Sequence, residues 1–232
     1  MYTYTLVANS TSILRSDGAT IPNCPGNSDY AAYLKWVAAG NVVTPVPGPT
    51  LAQAQATQAG ILNAATSNEI YKGFTSSALG TVHTYPAQQL DQLNMNSRAS
   101  AATIALTSPA WAAGAVVPEG QIITMDGQGF ICTTPGTSST SPQNWSVAPV
   151  DDGSVIWNVW TVSFWCQDST GAWTWAAHTA SQMRQVGIDG NNKIGAILQQ
   201  NSNLQQQVQA VTVTTTEADA VAAVQAIVWP SA

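Results

Sequence analysis

The stretch WNVWTVSFWCQDSTGAWTWAAHTASQMRQVG, residues 157–187, holds five of the chain's nine tryptophans and decides the fold. Val162 to Cys166 are mostly β-branched or aromatic, Asp168-Ser169-Thr170-Gly171 is turn chemistry, and Ala172 to Trp175 runs back, so an antiparallel hairpin is expected. Its indoles are expected to fill a core. Thr179 followed by Gln182 has the spacing of a capping box, in which the threonine oxygen and the glutamine side chain satisfy helix amides that lack partners, so a helix should begin there.

Downstream, after Asp189-Gly190, a helix carries Ile194, Ile197, Asn201, Leu204, Val208 and Val211 at intervals of three, four, three, four and three. This is a heptad seam. It can serve a coiled coil between copies, with the asparagine fixing register, or pack the helix on its own domain. Beyond it the Thr- and Ala-rich tail, residues 214–232, is expected to be an extended arm or a short helix.

Upstream, residues 107–160 change character: prolines and glycines are frequent, there is no helical period, and short apolar runs such as QIITM and GFICTT occur. A small β module is expected there, inserted ahead of the tryptophan hairpin. Before it, Pro86 suits the first turn of a helix reaching about Leu106. Ile70 to Phe74 and Thr81 to Tyr85 predict a second hairpin, and Leu51 to Asn68, rich in alanine and glutamine, a helix. Pro45, Pro47 and Pro49 mark residues 44–50 as an extended linker. In residues 1–43, Tyr2, Tyr4 and Leu6 alternate as a strand, and Asn27 or Ser28 caps a helix with Tyr30, Tyr33, Leu34 and Val37 on its apolar face and Gly40 after its last turn. The expected class is α+β: two β-hairpins with flanking helices in a discontinuous host domain, residues 51–106 and 161–213, an inserted all-β module, and a small N-terminal strand–helix segment.

Composition narrows the function. Only 8% of the 232 residues are charged, against roughly a quarter in ordinary soluble proteins. A neutral polar surface repels other copies weakly and suits a protein that works inside a large assembly. With 6 basic and 12 acidic residues there is no basic stripe for phosphates, so nucleic-acid binding is not expected. No window approaches the roughly 18 apolar residues of a membrane span, and the first residues lack a secretory pattern. Cys24, Cys132 and Cys166 are isolated and odd in number, which favours reduced, mostly buried thiols over disulfides or zinc.

Two histidines limit acid–base chemistry at the outset. His178 is expected to hydrogen-bond near the helix cap and His83 to sit on a strand face. The motifs of acyl transfer, zinc hydrolysis and nucleotide binding are missing. Asp151, Asp152, Asp126 and Glu119 could offer oxygens to calcium, but match no EF-hand spacing, and DDG makes a turn. Trp111, Trp145, Trp157 and Trp160 raise the question of stacking on sugar rings. Trp145, in a loop, and Trp111 are the candidate glycan-contacting residues, while Trp157, in phase with Val155, is expected to be buried.

The segments IYKGF, NMNSRASAA and FWCQDSTGAWTWAAHTASQMRQVG with the Gln-rich helix after it resemble an uncharacterised domain of phage tail-fibre and baseplate-associated proteins, over residues 51–106 and 161–211. PAWAAGAVV, GFICTTPGTSSTSPQNW and DDGSVIW resemble a short phage module related to small carbohydrate-binding β domains. ILRSDGATIPNCPGNSDYAAYLKWVAAGN is similar to a segment of phage tail-fibre and fibre-assembly proteins. No catalytic motif comes with these resemblances. They imply a virion tail component made in the host cytoplasm, without enzymatic activity or cofactor, that docks other tail proteins and forms a homo-oligomer, often a trimer. A host-recognition module that binds surface glycan and a tail-fibre assembly chaperone are the alternatives.

Overall fold

The computed structural model describes residues 2–8 and 10–230; residues 1 and 9 of the expected N-terminal segment and 231–232 of the expected tail lie outside the described residues. The chain divides into two units, Met1–Ala56 with Val211–Ala226, and Thr57–Ala210 with Ile227–Ala232. Residues 107–160 therefore fall in the same unit as residues 57–106 and 161–210. The class is α+β, with helices beside antiparallel sheets.

In the first unit β1 (Tyr4–Leu6), β2 (Ile13–Arg15) and β3 (Thr20–Ile21) form a three-stranded antiparallel sheet. Helix α1 (Ser28–Ala38) starts where the Asn27 side chain accepts from the Tyr30 amide. Its apolar side differs from expectation. Tyr30, Tyr33 and Trp36 pack on the buried Tyr4, Ile13 and Ile21, whereas Leu34 and Val37 are exposed. The reason is aromatic: the Tyr4 ring lies 5.2 Å from that of Tyr33 and 4.9 Å from that of Trp36, both edge-on, the preferred arrangement of such rings. Thr44, expected in the linker, bonds back to the sheet through both its amide and its carbonyl.

Helix α2 (Leu51–Tyr71) opens on a reciprocal capping box, the Thr50 amide donating to Gln53 Oε1 and the Gln53 amide to Thr50 Oγ1. It runs through Ile70 and Tyr71, which the sequence reading placed in a strand, because nothing there breaks the helix before Gly73. The second unit continues with β4 (Phe74–Ser76) and β5 (His83–Tyr85), then α3 (Gln89–Thr107). Pro86 does not open α3. The helix starts three residues later, where Asp91 Oδ2 accepts from the Gln88 amide.

Strands β6 (Val116–Val117), β7 (Ile122–Met125), β8 (Gln128–Thr134), β9 (Gly136–Thr137), β10 (Val150–Asp152) and β11 (Val155–Val159) follow. They make one four-stranded sheet, β10-β11-β8-β7, and a β6–β9 ladder around Val117, Phe130, Trp145 and Trp157. Then β12 (Thr161–Gln167) pairs with β13 (Trp173–Thr179) across the Asp168–Gly171 turn. With β5 and β4 they form the sheet β13-β12-β5-β4. One face of it carries Phe74, Tyr85, Phe164 and Cys166, which are buried with Met95, Ala102, Met183 and Val186 of the helices.

Helix α4 (Ala180–Ala210) opens on the expected capping box: the Thr179 amide donates to Gln182 Oε1, and the Gln182 amide to Thr179 Oγ1. Asp189-Gly190 is not a boundary, as the helix runs straight through it. A Cβ at Gly190 would lie 2.9 Å from both Met95 Cε and Phe74 Cζ, and one at Gly187 2.9 Å from Ala99 Cβ. Both glycines mark the closest approach of α4 to its neighbours rather than a turn. In the first unit α5 (Glu217–Gln225) makes part of the tail helical, with Thr216 Oγ1 accepting from the Asp219 amide.

Cys132 and Cys166 are buried, and burial pushes both thiols up from their ordinary pKa, while Cys24 is exposed. Because thiolate character and access set the rate of alkylation, a thiol reagent is expected to modify one cysteine rapidly in the native protein and all three in denaturant. Peptide mapping that found Cys132 labelled as fast as Cys24 would contradict this packing.

Candidate functional site

The face of the β13-β12-β5-β4 sheet turned away from the core is set by strand alternation. Trp165 stands opposite Trp175, Gln167 opposite Trp173, and Gln167 opposite Thr84, which in turn faces Thr75. In an antiparallel sheet directly opposed residues share a face. Trp173, Gln167, Thr84 and Thr75 therefore form one row, with Trp175 and Trp165 in the next and Ala177 and Ser163 after that. The three indoles are 37% (Trp165), 39% (Trp173) and 62% (Trp175) exposed. This reverses the expectation that the hairpin's indoles fill the core. Phe164, Cys166 and His178 fill it instead, and the alternation leaves the tryptophans outside.

The rings hold one another. Trp165 and Trp173 are nearly parallel, 17° apart with centroids 6.0 Å apart, and Trp175 leans on Trp165 at 5.5 Å and 53°. The turn beside them is fixed: Asp168 Oδ1 accepts from the amides of Thr170 and Ala172 and from Thr170 Oγ1. Those bonds lower the Asp168 carboxyl pKa, the Thr170 hydroxyl contributing most. Gln167 Nε2 donates to the Gly171 carbonyl.

The tryptophans singled out in residues 107–160 are placed otherwise. Trp145, expected in an open loop, is only 7% exposed, edge-on to Phe130 at 5.0 Å and to Trp157 at 6.1 Å. So little of the ring reaches the surface that it is not placed to stack on sugars. It borders a cleft of about 330 Å³ with Met125, Asp126, Gln128 and Ser146. Trp111 is half-buried, its Nε1 donating to Asp152 Oδ2 at 2.7 Å. Trp157 is buried, as its phase with Val155 predicts, and donates to the same oxygen at 3.1 Å. Asp152 Oδ1 accepts from the Ser139 amide at 2.9 Å.

Asp152 thus ties together Trp111, the GTSSTSP loop and the DDGSVIW segment. Burial pushes its pKa up, but the bonds from Ser139, Trp111 and Trp157 outweigh it and leave the carboxyl below its ordinary value. Its two oxygens are occupied by protein donors. Among the described residues Asp151, Asp152, Asp126 and Glu119 do not gather, and no group of three or more metal-ligating side chains occurs.

The heptad residues of α4 are used within the chain. Ile197, Leu204 and Val208 are buried and Ile194 half-buried, while Val211, expected as the last seam residue, lies just beyond the end of the helix at Ala210. Asn201 Nδ2 donates to Asn63 Oδ1, and Gln205 Nε2 to the Ala59 carbonyl. Contacts that advance along α4 retreat along α2, so the two helices run antiparallel, with Leu62 and Thr66 buried on the α2 side. Three of the seam residues, Ile197, Leu204 and Val208, are thus packed within the chain.

His178 lies in the core rather than at the cap. Its Nδ1 is 2.8 Å from the Ala176 carbonyl, which makes that nitrogen the donor, and its Nε2 accepts from the Tyr85 hydroxyl at 2.8 Å. His83, half-buried, has its Nδ1 2.9 Å from the Thr81 carbonyl. Among the described residues no helix is long and apolar enough to cross a membrane. Comparison of the chain with protein-family models, with curated proteins and with solved structures finds no match.

Proposed function

We propose that this chain is a structural, non-enzymatic component of a phage virion tail, in a tail fibre or in the connector between baseplate and fibre, where it docks neighbouring tail proteins and assembles as an oligomer, a trimer first. The observation that carries this reading is an open apolar stripe on α3. Leu90, Leu93 and Ile104, with Ser97 and Ala101 between them, recur at helical spacing on one side of the helix. All three large side chains are exposed, while Met95, Ala102 and Ala105 on another side are buried in the core. A helix apolar on two sides is stable in water when both are covered.

The scarcity of charge supports the same reading, since few like charges oppose close packing of copies. So does the contrast with α4, where Ile197, Leu204 and Val208 are buried within the chain, whereas the α3 stripe is open to a second copy. The resemblance to phage tail proteins supplies the setting.

Light scattering on the full chain is expected to give three times the 24.2 kDa chain mass, and the double variant Leu93→Ser/Ile104→Ser a single chain with an unchanged melting temperature. A monomeric parent protein would remove the oligomer from the proposal. Mass spectrometry of purified particles separates a tail component, which stays, from an assembly chaperone, which leaves.

A further inference from the structure

We infer that the Trp165–Trp173–Trp175 ledge is a binding site for the pyranose rings of an uncharged polysaccharide. The inference rests on the sheet face and not on the α3 stripe, so it stands or falls independently of the oligomer.

Three observations select this occupant. The first is ring geometry. Indole faces carry negative charge density and attract weakly positive C–H groups, and the axial C–H bonds of a pyranose present such a surface across an area close to that of one indole. Trp173 and Trp175 are two residues apart on the same strand, about 7 Å by strand rise, and Trp165 stands across from Trp175. Trp165 and Trp173 spend one face each on their mutual stack, so the ring surface left for a sugar lies chiefly on Trp175, 62% exposed, and on Trp173, 39% exposed. Because Trp165 and Trp173 stack on each other, little side-chain freedom remains to be lost on binding.

The second observation is charge. The strand residues of this face are Thr75, Thr84, Thr161, Ser163, Gln167, Ala177 and Thr179 besides the tryptophans, and none is ionisable. An anionic polymer, a phosphate or an acidic peptide would find no cation among these strand residues to pair with. A neutral polyol finds hydroxyls and an amide that match its own hydrogen-bonding groups without desolvating a charge. The third is extent. A stable protein interface takes roughly 800 Å² from each partner around an apolar centre, and here the neighbours of the rings on the same face are Ser163, Gln167, Thr84 and Ala177, three of them hydroxyl or amide side chains. The small apolar footprint with a hydroxyl-bearing surround fits a ligand that is apolar on its ring faces and polar at its edges.

Affinity electrophoresis and titration of tryptophan fluorescence with laminarin, hydroxyethyl cellulose, dextran and yeast mannan test the site, with polygalacturonate as the charged comparison. Stacking reads the ring face shared by these polymers, so at least one neutral polymer is expected to retard the full chain and shift its emission, and polygalacturonate to do neither. Trp175→Ala is expected to weaken binding about ten-fold, the scale of one stacked ring, and Trp173→Ala/Trp175→Ala to abolish it, while Leu93→Ser/Ile104→Ser binds as the parent does. Unchanged melting of the tryptophan variants excludes loss through unfolding. Failure of all four neutral polymers, or undiminished binding by Trp175→Ala, overturns the inference. So does a change of solution mass in Trp175→Ala without any sugar binding, which would make the ledge a contact between copies of the chain.

Discussion

Replacing Asp152 with alanine is expected to lower the unfolding free energy by about 3–5 kcal/mol, from the cost of leaving buried donors unpaired. The side chain receives the Trp157 indole N–H, the Trp111 indole N–H and the Ser139 amide. Trp157 is fully buried and cannot turn to water; Trp111 and Ser139 are half-buried and recover part of their loss. Asp152→Asn keeps one oxygen, which can face either the two indoles or the amide, and an NH2 group that opposes whichever donor remains. Its cost is expected to be about 1–2 kcal/mol, one donor's share. Denaturant unfolding followed by tryptophan fluorescence gives both values, and hydrogen exchange should locate the alanine effect in β10, β11 and the loop at residues 137–143. Equal stability of the parent and the alanine variant would show that the carboxylate is not the tie described. The pH dependence has a definite sign. The folded carboxyl lies below its ordinary value, so its contribution is complete above about pH 4 and is lost as pH falls through the folded pKa.

Asp152 also shows where sequence reading stops. DDG is legible as a turn from its residue types, and the chain does turn there, at Gly153 with φ +67°. The second aspartate's role depends on Trp111, which is 41 residues earlier in the chain, and nothing local announces that meeting. The capping box of Thr179 and Gln182 and the Asn27 cap of α1 were legible because both partners lie within four residues. The seam of α4 was legible as a period but not as a partnership, since the same spacing serves a copy of itself or α2. At the tryptophan hairpin the difficulty is different. TVSFWCQ alternates between Val162, Phe164 and Cys166 on one face and Thr161, Ser163, Trp165 and Gln167 on the other, so the two sets are legible, but the size of the indoles argues for the opposite assignment. Phe164 and Cys166 pack with Met95, Ala102, Met183 and Val186 of the helices, and the larger indoles stay outside. Trp145 fails in the opposite direction: a lone aromatic in a Pro- and Ser-rich loop reads as exposed, yet Phe130 and Trp157 enclose it.

His178 makes acid stability depend on one buried ring. The imidazole is held neutral between a carbonyl and a hydroxyl, donating from Nδ1 to Ala176 and accepting at Nε2 from Tyr85. Burial lowers its pKa; the bond to Ala176 opposes that, and His83 acts with it. In the unfolded chain the ring takes a proton near pH 6.5, whereas in the folded chain it does so only at lower pH. The unfolded state therefore binds more protons between those two values, and stability falls as pH drops from about 6.5 through the folded pKa, with a slope of at most about 1.4 kcal/mol per pH unit for one proton. The Asp152 loss begins lower, below about pH 4. His178→Gln is expected to cost about 1–3 kcal/mol at pH 8, because the Tyr85 hydroxyl and the Ala176 carbonyl are no longer both satisfied. Its stability should then stay nearly level from pH 8 to 5, where the parent declines. Calorimetry at half-unit intervals over that range measures both curves. A parent and a variant that decline in parallel would mean that the proton is taken up elsewhere, and that the bond between His178 and Tyr85 is not what keeps the imidazole neutral in the core.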